Sequence, residues 1–161
     1  FMFKDSYFNH SIDAWNVSSV RTMKEMFARS SPFSHSLSSW DVSAVTDMNG
    51  MFYLSVYDGN ISTWDVSNVV DMDNTFAGSS KFNQDISSWN VSNVQNFRSM
   101  FADMSRFDVD LSSWDVGSAT SLNLMFFDSS YSQNLCAWGD RLSDVLETRN
   151  VYLCPTCLEI Q

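Results

Sequence analysis

Phe82-Asn-Gln-Asp-Ile-Ser-Ser-Trp89-Asn-Val-Ser-Asn-Val94, continuing through Asn96-Phe-Arg-Ser-Met-Phe101, decides the architecture because it returns. One period earlier the chain reads Tyr57-Asp-Gly-Asn-Ile-Ser-Thr-Trp64-Asp-Val-Ser-Asn-Val69, and one period later Phe107-Asp-Val-Asp-Leu-Ser-Ser-Trp114-Asp-Val116. Extended outward, the same register places Trp15, Trp40, Trp64, Trp89, Trp114 and Trp138 at steps of 24 or 25 residues. A fixed period of this length marks a repeat protein, in which each unit buries its apolar face only against its neighbours.

The whole unit recurs, not one column. Three residues before Trp stand Ile12, Leu37, Ile61, Ile86, Leu111 and Leu135. Two after it come Val17, Val42, Val66, Val91 and Val116, and five after it Val20, Val45, Val69, Val94 and Ala119. Aromatic rows run Phe3, Phe27, Phe52, Phe76, Phe101, Phe126 and Phe8, Phe33, Tyr57, Phe82, Phe107, Tyr131. Residues 1–135 thus read as five to six tandem units, truncated at the N-terminus because Phe1-Met-Phe3 enters in mid-unit, and residues 136–161 read as a C-terminal cap.

Apolar periodicity within a unit assigns local structure. Trp and Val two apart, with Ser and Asn between and beside them, predict a short strand with one face buried. Val69, Met72 and Phe76, spaced three and then four, predict a helical turn. Each unit is then strand, turn, short helix and loop, and the fold class is an α/β solenoid with parallel short strands, short helices or helical turns, and a capped C-terminus.

Composition narrows function. With 9 basic against 19 acidic residues and a formal net charge of −10, the chain repels phosphate backbones, which argues against nucleic-acid partners. The sequence has no apolar run long enough for membrane insertion in this segment. Both histidines, His10 and His35, occupy one repeat position, which predicts stacked loop neighbours rather than a metal pair. No base beside a nucleophile stands out, so the reading is of a non-enzyme without catalytic residues.

Strand alternation sends the neighbours of the inward Trp and Val outward. They form columns of Ser39, Thr63, Ser88 and Ser113, of Asn16, Asp41, Asp65, Asn90 and Asp115, and of Ser43, Ser67 and Ser92. These are the candidate binding residues, suited to a protein or polysaccharide surface or to neighbouring subunits. No metal site or cofactor is assigned, and Ca²⁺ bridging between carboxylates is a weaker alternative since no calcium-loop motif is present. Asn60, in a sequon beside Gly59, is the candidate glycosylation site.

The run I-x-x-W-x-V-x-x-V resembles the leucine-rich-repeat core, with Trp and Val in two of its leucine slots. The longer stretch Phe82–Val94 with Met100-Phe101 resembles the BspA-like leucine-rich-repeat surface proteins over about residues 2 to 138. Val20, Val45, Val69 and Val94 depart from it, standing where ordinary leucine-rich repeats carry Asn. The resemblance implies an extracellular or cell-surface module for adhesion or matrix interaction. The alternative is a scaffold subunit of a larger protein assembly.

The resemblance also bears on the end of the chain. Cys136, Cys154 and Cys157 all fall after the last repeat. A terminal layer needs cover, and family members with a Cys-Ala-Trp end support a disulfide from Cys136 to Cys154, with Cys157 as the alternative. Such a bridge implies an oxidising compartment. Cys154-Pro-Thr-Cys157 also has C-x-x-C spacing, but no βαβ context supports a redox motif.

Overall fold

The computed structural model describes residues 2–139. The repeat units form layers, one per Trp, and each layer is hydrogen-bonded to the next through its backbone. The layers, however, are built of turns. Among the described residues the single helix is α1, Cys136–Gly139, and strand pairing is confined to isolated parallel bridges joining Thr22, Asp47, Asp71, Asn96 and Ser121 in succession. The expected α/β solenoid of parallel strands and short helices, and with it the description as a leucine-rich-repeat solenoid, is therefore corrected: the described residues form no sheet.

The physical reason lies in short side chains that compete for the backbone. The segment expected as a strand closes two consecutive turns: Trp89 N–H donates to the Ile86 carbonyl at 3.1 Å, and Val94 N–H to the Val91 carbonyl at 2.9 Å. Asp85 Oδ1 accepts the Ser87 N–H at 3.0 Å and Asn90 Oδ1 the Ser92 N–H at 3.2 Å, folding the chain locally. Such Asx turns draw the backbone away from ladder pairing. The in-and-out alternation of Trp89 and Val91 survives, but a turn produces it.

The segment expected as a helix is a run of overlapping turns. Met72, Asn74 and Phe76 carbonyls accept from Thr75, Ala77 and Ser79 N–H groups. Asn74 at φ 55° and Gly78 at φ 68° are left-handed, which a right-handed helix excludes. The same two columns are left-handed throughout the described residues, at Glu25, Gly50, Asn74, Ser99, Leu124 and at Asp5, Arg29, Leu54, Gly78, Asp103, Asp128. Alternation frees every second N–H for the neighbour: Met72, Asn74, Phe76 and Gly78 donate to carbonyls of Asn96, Arg98, Met100 and Ala102 at 2.8–3.1 Å. The buried peptide groups of this run thus bond both within their layer and to the next, as burial requires.

Aromatic columns fill the centre. Phe27, Phe52, Phe76, Phe101 and Phe126 stack with centroids 5.6–5.9 Å apart and planes within 12°. Each pairs within its layer, as Phe76 does with Phe82 at 4.2 Å. Trp40, Trp64, Trp89, Trp114 and Trp138 are buried, whereas Trp15 is 44% exposed. The buried indoles are tied in place: Nε1 of Trp40, Trp64, Trp89, Trp114 and Trp138 donates to the carbonyl of Ile12, Leu37, Ile61, Ile86 and Leu111, one layer back, at 3.0–3.1 Å. Leucine fills space but has no such donor. Val45, Val69 and Val94 are fully buried where an Asn ladder would otherwise stand.

Candidate functional site

The column following Trp is exposed at Asn16, Asp41, Asp65, Asn90 and Asp115. Its side chains have a local task. Oδ1 of each accepts the backbone N–H two residues on, from Ser18, Ser43, Ser67, Ser92 and Gly117, at 3.0–3.2 Å. Ser18, Ser43 and Ser92 add their hydroxyls to the same oxygen at 2.6–2.8 Å. Hydrogen bonds from Ser43 and Ser67 hold the Asp41 and Asp65 carboxyls below the usual carboxylate range. These bonds engage Oδ1 of each side chain and fix the direction of its other terminal atom, Oδ2 in Asp41, Asp65 and Asp115 and Nδ2 in Asn16 and Asn90.

The hydroxyl column on the other side of Trp links layers. Ser39 Oγ donates to the Asp13 carbonyl at 2.6 Å, Ser88 to the Ser62 carbonyl at 3.4 Å and Ser113 to the Ser87 carbonyl at 3.1 Å. Ser39, Thr63, Ser88 and Ser113 are exposed, while Ser43, Ser67 and Ser92 are half-buried. What faces outward is therefore a mixed row, one polar group per layer: a carboxylate acceptor at Asp41, Asp65 and Asp115 and an amide donor, Nδ2, at Asn16 and Asn90. Such a row suits a partner that offers both donors and acceptors, as hydroxyls do.

A second polar column was missed in the strand-and-helix reading. Thr22, Asp47, Asp71, Asn96 and Ser121, seven residues after each Trp, form the bridge column and also cap the next turn. Thr22 Oγ1 donates to Asp47 Oδ2 at 3.2 Å, and Asn96 Nδ2 to Asp71 Oδ1 at 3.1 Å, across layers. Two residues on, Asp73 is half-buried, and burial with the neighbouring Asp71 charge pushes its carboxyl above the usual range. The unbroken row of Thr, Asp, Asn and Ser was the available signal.

The remaining expected sites are placed as follows. Asn60 is exposed, and its Oδ1 accepts the Ser62 N–H at 2.9 Å. His35 Nε2 lies 3.1 Å from the Asn9 carbonyl oxygen, and the His10 ring stands 5.6 Å from Phe8. Among the described residues no group of three or more His, Cys, Asp or Glu is arranged to hold a metal, and no helix is long and apolar enough to cross a membrane. Cys136 opens α1 and is disulfide-bonded. Cys154 and Cys157, with most of the expected cap, lie outside the described residues.

A family model described as "Mycoplasma protein of unknown function, DUF285" matches residues 1–58 and again 54–138. The chain belongs to this DUF285 family. It is a family associated with BspA-like surface repeat proteins. The two tandem matches cover the stacked layers up to Trp138, Cys136 included, and leave Cys154 and Cys157 outside. Neither a curated protein nor a solved structure matches the chain.

Proposed function

We propose that this DUF285 chain is a BspA-like, extracellular or cell-surface interaction module, working in adhesion or matrix structure. Its binding face is the column Asn16, Asp41, Asp65, Asn90 and Asp115 with the flanking Ser and Thr. The observation that carries the reading is the outward row of Asp and Asn side chains, one per layer, each pinned through Oδ1 by its own turn, which leaves acceptors at Asp41, Asp65 and Asp115 and amide donors at Asn16 and Asn90. Polar groups held in advance lose little freedom when a partner's complementary groups arrive, and a periodic row matches a periodic or extended partner. The disulfide at Cys136 supports an oxidising compartment.

The test is binding of the full chain to arrays of immobilised glycans and matrix proteins, compared with an Asp65→Ala, Asp115→Ala double variant. Loss of the signal in the double variant supports the face. Unchanged binding assigns recognition elsewhere, and tight co-purification with defined chains supports a scaffold subunit instead.

A further inference from the structure

The column ten residues after each Trp holds Glu25, Gly50, Asn74, Ser99 and Leu124, all at φ between 50° and 61°. Four of these five carry a side chain at that conformation, so the backbone does not require glycine at position 50. The missing side chain opens space. A notch of about 180 Å³ lies there, lined by Glu25, Asn49, Gly50, Tyr53 and Asn74. A Cβ on Gly50 would stand 3.1 Å from Glu25 Cγ and 3.8 Å from Tyr53 Cβ, reaching two of the residues that line the notch.

The lining indicates what fits. Lys4 already pairs with Glu25, and the Arg29 guanidinium lies 5.6 Å from the Tyr53 ring centre. The two groups that would draw a cation are thus served by this chain. Anions are disfavoured by a net charge of −10 and by Asp71 and Asp73, which Asn49 reaches at 3.5 Å. What remains is neutral. Asn49 Nδ2 has only those long bonds, and Asn74 Nδ2 donates to Asp73 Oδ1 at 2.7 Å, which leaves its Oδ1 as an acceptor. Carboxamides from adjacent layers beside an aromatic ring match adjacent hydroxyls and an apolar C–H edge. The volume is below the roughly 300–1,000 Å³ typical of pockets for drug-sized ligands and suits one sugar ring.

We propose that this notch binds a single neutral hexose unit of a glycan, its hydroxyls on Asn49 and Asn74 and its C–H edge toward Tyr53. The notch shares no residue with the column beside Trp, so either assignment stands if the other fails.

The experiment is amide NMR of the isotope-labelled full chain, titrated with methyl glycosides of glucose, galactose, mannose and N-acetylglucosamine. Shifts centred on Gly50 and Tyr53 are expected with at least one sugar, and they should vanish in Gly50→Asn. That variant places in this layer the residue the next layer carries at the same φ. Tyr53→Ala is a second variant, matching Ala28, Ala77 and Ala102 in the same column, and should weaken binding at least tenfold. The proposal is overturned if no sugar shifts Gly50 at its solubility limit, if both folded variants bind like the parent, or if arginine methyl ester displaces the sugar from the same amides.

Discussion

The Trp64 indole nitrogen donates to the Leu37 carbonyl oxygen at 3.0 Å, crossing from one layer to the layer before. The same bond recurs at every buried Trp, so the residue that keeps the period also fastens the stack. Trp64→Ala should destabilise by about 3 to 5 kcal/mol in chemical denaturation, from lost burial and an open cavity. Trp64→Phe, which keeps a ring but drops the donor, should lose less, with about 1 kcal/mol of it from the hydrogen bond. Trp15→Ala should cost far less than Trp64→Ala, since Trp15 is 44% exposed. Equal losses at Trp15 and Trp64 would refute the stacking account.

Acid sensitivity should come from the turn-capping carboxylates. Hydrogen bonds from the following Ser lower the carboxyls of Asp41, Asp65, Asp85 and Asp110. A lowered folded pKa gives stability that is present above the unfolded value, about 3.9 for Asp, and lost as pH falls through the folded value. Replacing all four by Asn, which caps the turn of Asp41 and Asp65 at Asn16 and Asn90 and the turn of Asp85 and Asp110 at Asn60 and Asn134, should flatten the fall in melting temperature below about pH 4. A parent-like acid limb in the fourfold variant would exclude these groups as its source.

Asp73 has the opposite sign. Burial, then the Asp71 charge, raises its carboxyl, so the folded state holds that proton more tightly than the unfolded chain does. Stability therefore declines as pH rises from the unfolded value through the raised one. Asp73→Asn should melt higher than the parent at pH 7, and the difference should shrink as the buffer is acidified through that window. A variant that is less stable at pH 7 would show that the Asn74 contact outweighs the buried charge.

Gly59 and Tyr57 should behave as one unit. The Tyr57 hydroxyl lies 2.3 Å from where a Gly59 Cβ would stand, and burial raises the Tyr57 phenol above its ordinary range. Layers with Phe in this aromatic row carry His10, His35, Gln84 or Val109 at the matching site. Gly59→Ala should destabilise by about 1–3 kcal/mol through overpacking. Adding Tyr57→Phe should recover part of that loss in a double-mutant cycle. Strict additivity would mean the two positions are independent.

The period, the inward rows and the exposed neighbours of Trp were legible because they depend on spacing alone. Local conformation was not. Ile86-Ser-Ser-Trp89 and Val91-Ser-Asn-Val94 alternate as a strand would, yet each closes a turn, because Asp85 and Asn90 draw the backbone toward themselves. Val69, Met72 and Phe76 keep helical spacing, but left-handed residues at Asn74 and Gly78 turn the chain instead. Positive φ at Glu25, Arg29, Leu54 or Leu124 leaves no mark in a single residue's identity. It becomes visible only through the layer beneath. The notch at Gly50 needed the same comparison, since a glycine reads as a turn until its column shows that other layers fill the place.

The direction of the backbone bonds between layers gives the stack an electrical axis. At each of the four interfaces from Met23 to Phe127 four N–H groups, such as those of Met72, Asn74, Phe76 and Gly78, point toward the next layer, while one or two near the bridge column, such as Gln95 and Asn96, point back toward the layer before. The peptide dipoles do not cancel. Their sum places partial positive charge toward the C-terminal side of the pile and partial negative toward the N-terminal side, the reverse of an α-helix. The two ends of the described stack are therefore electrically unlike.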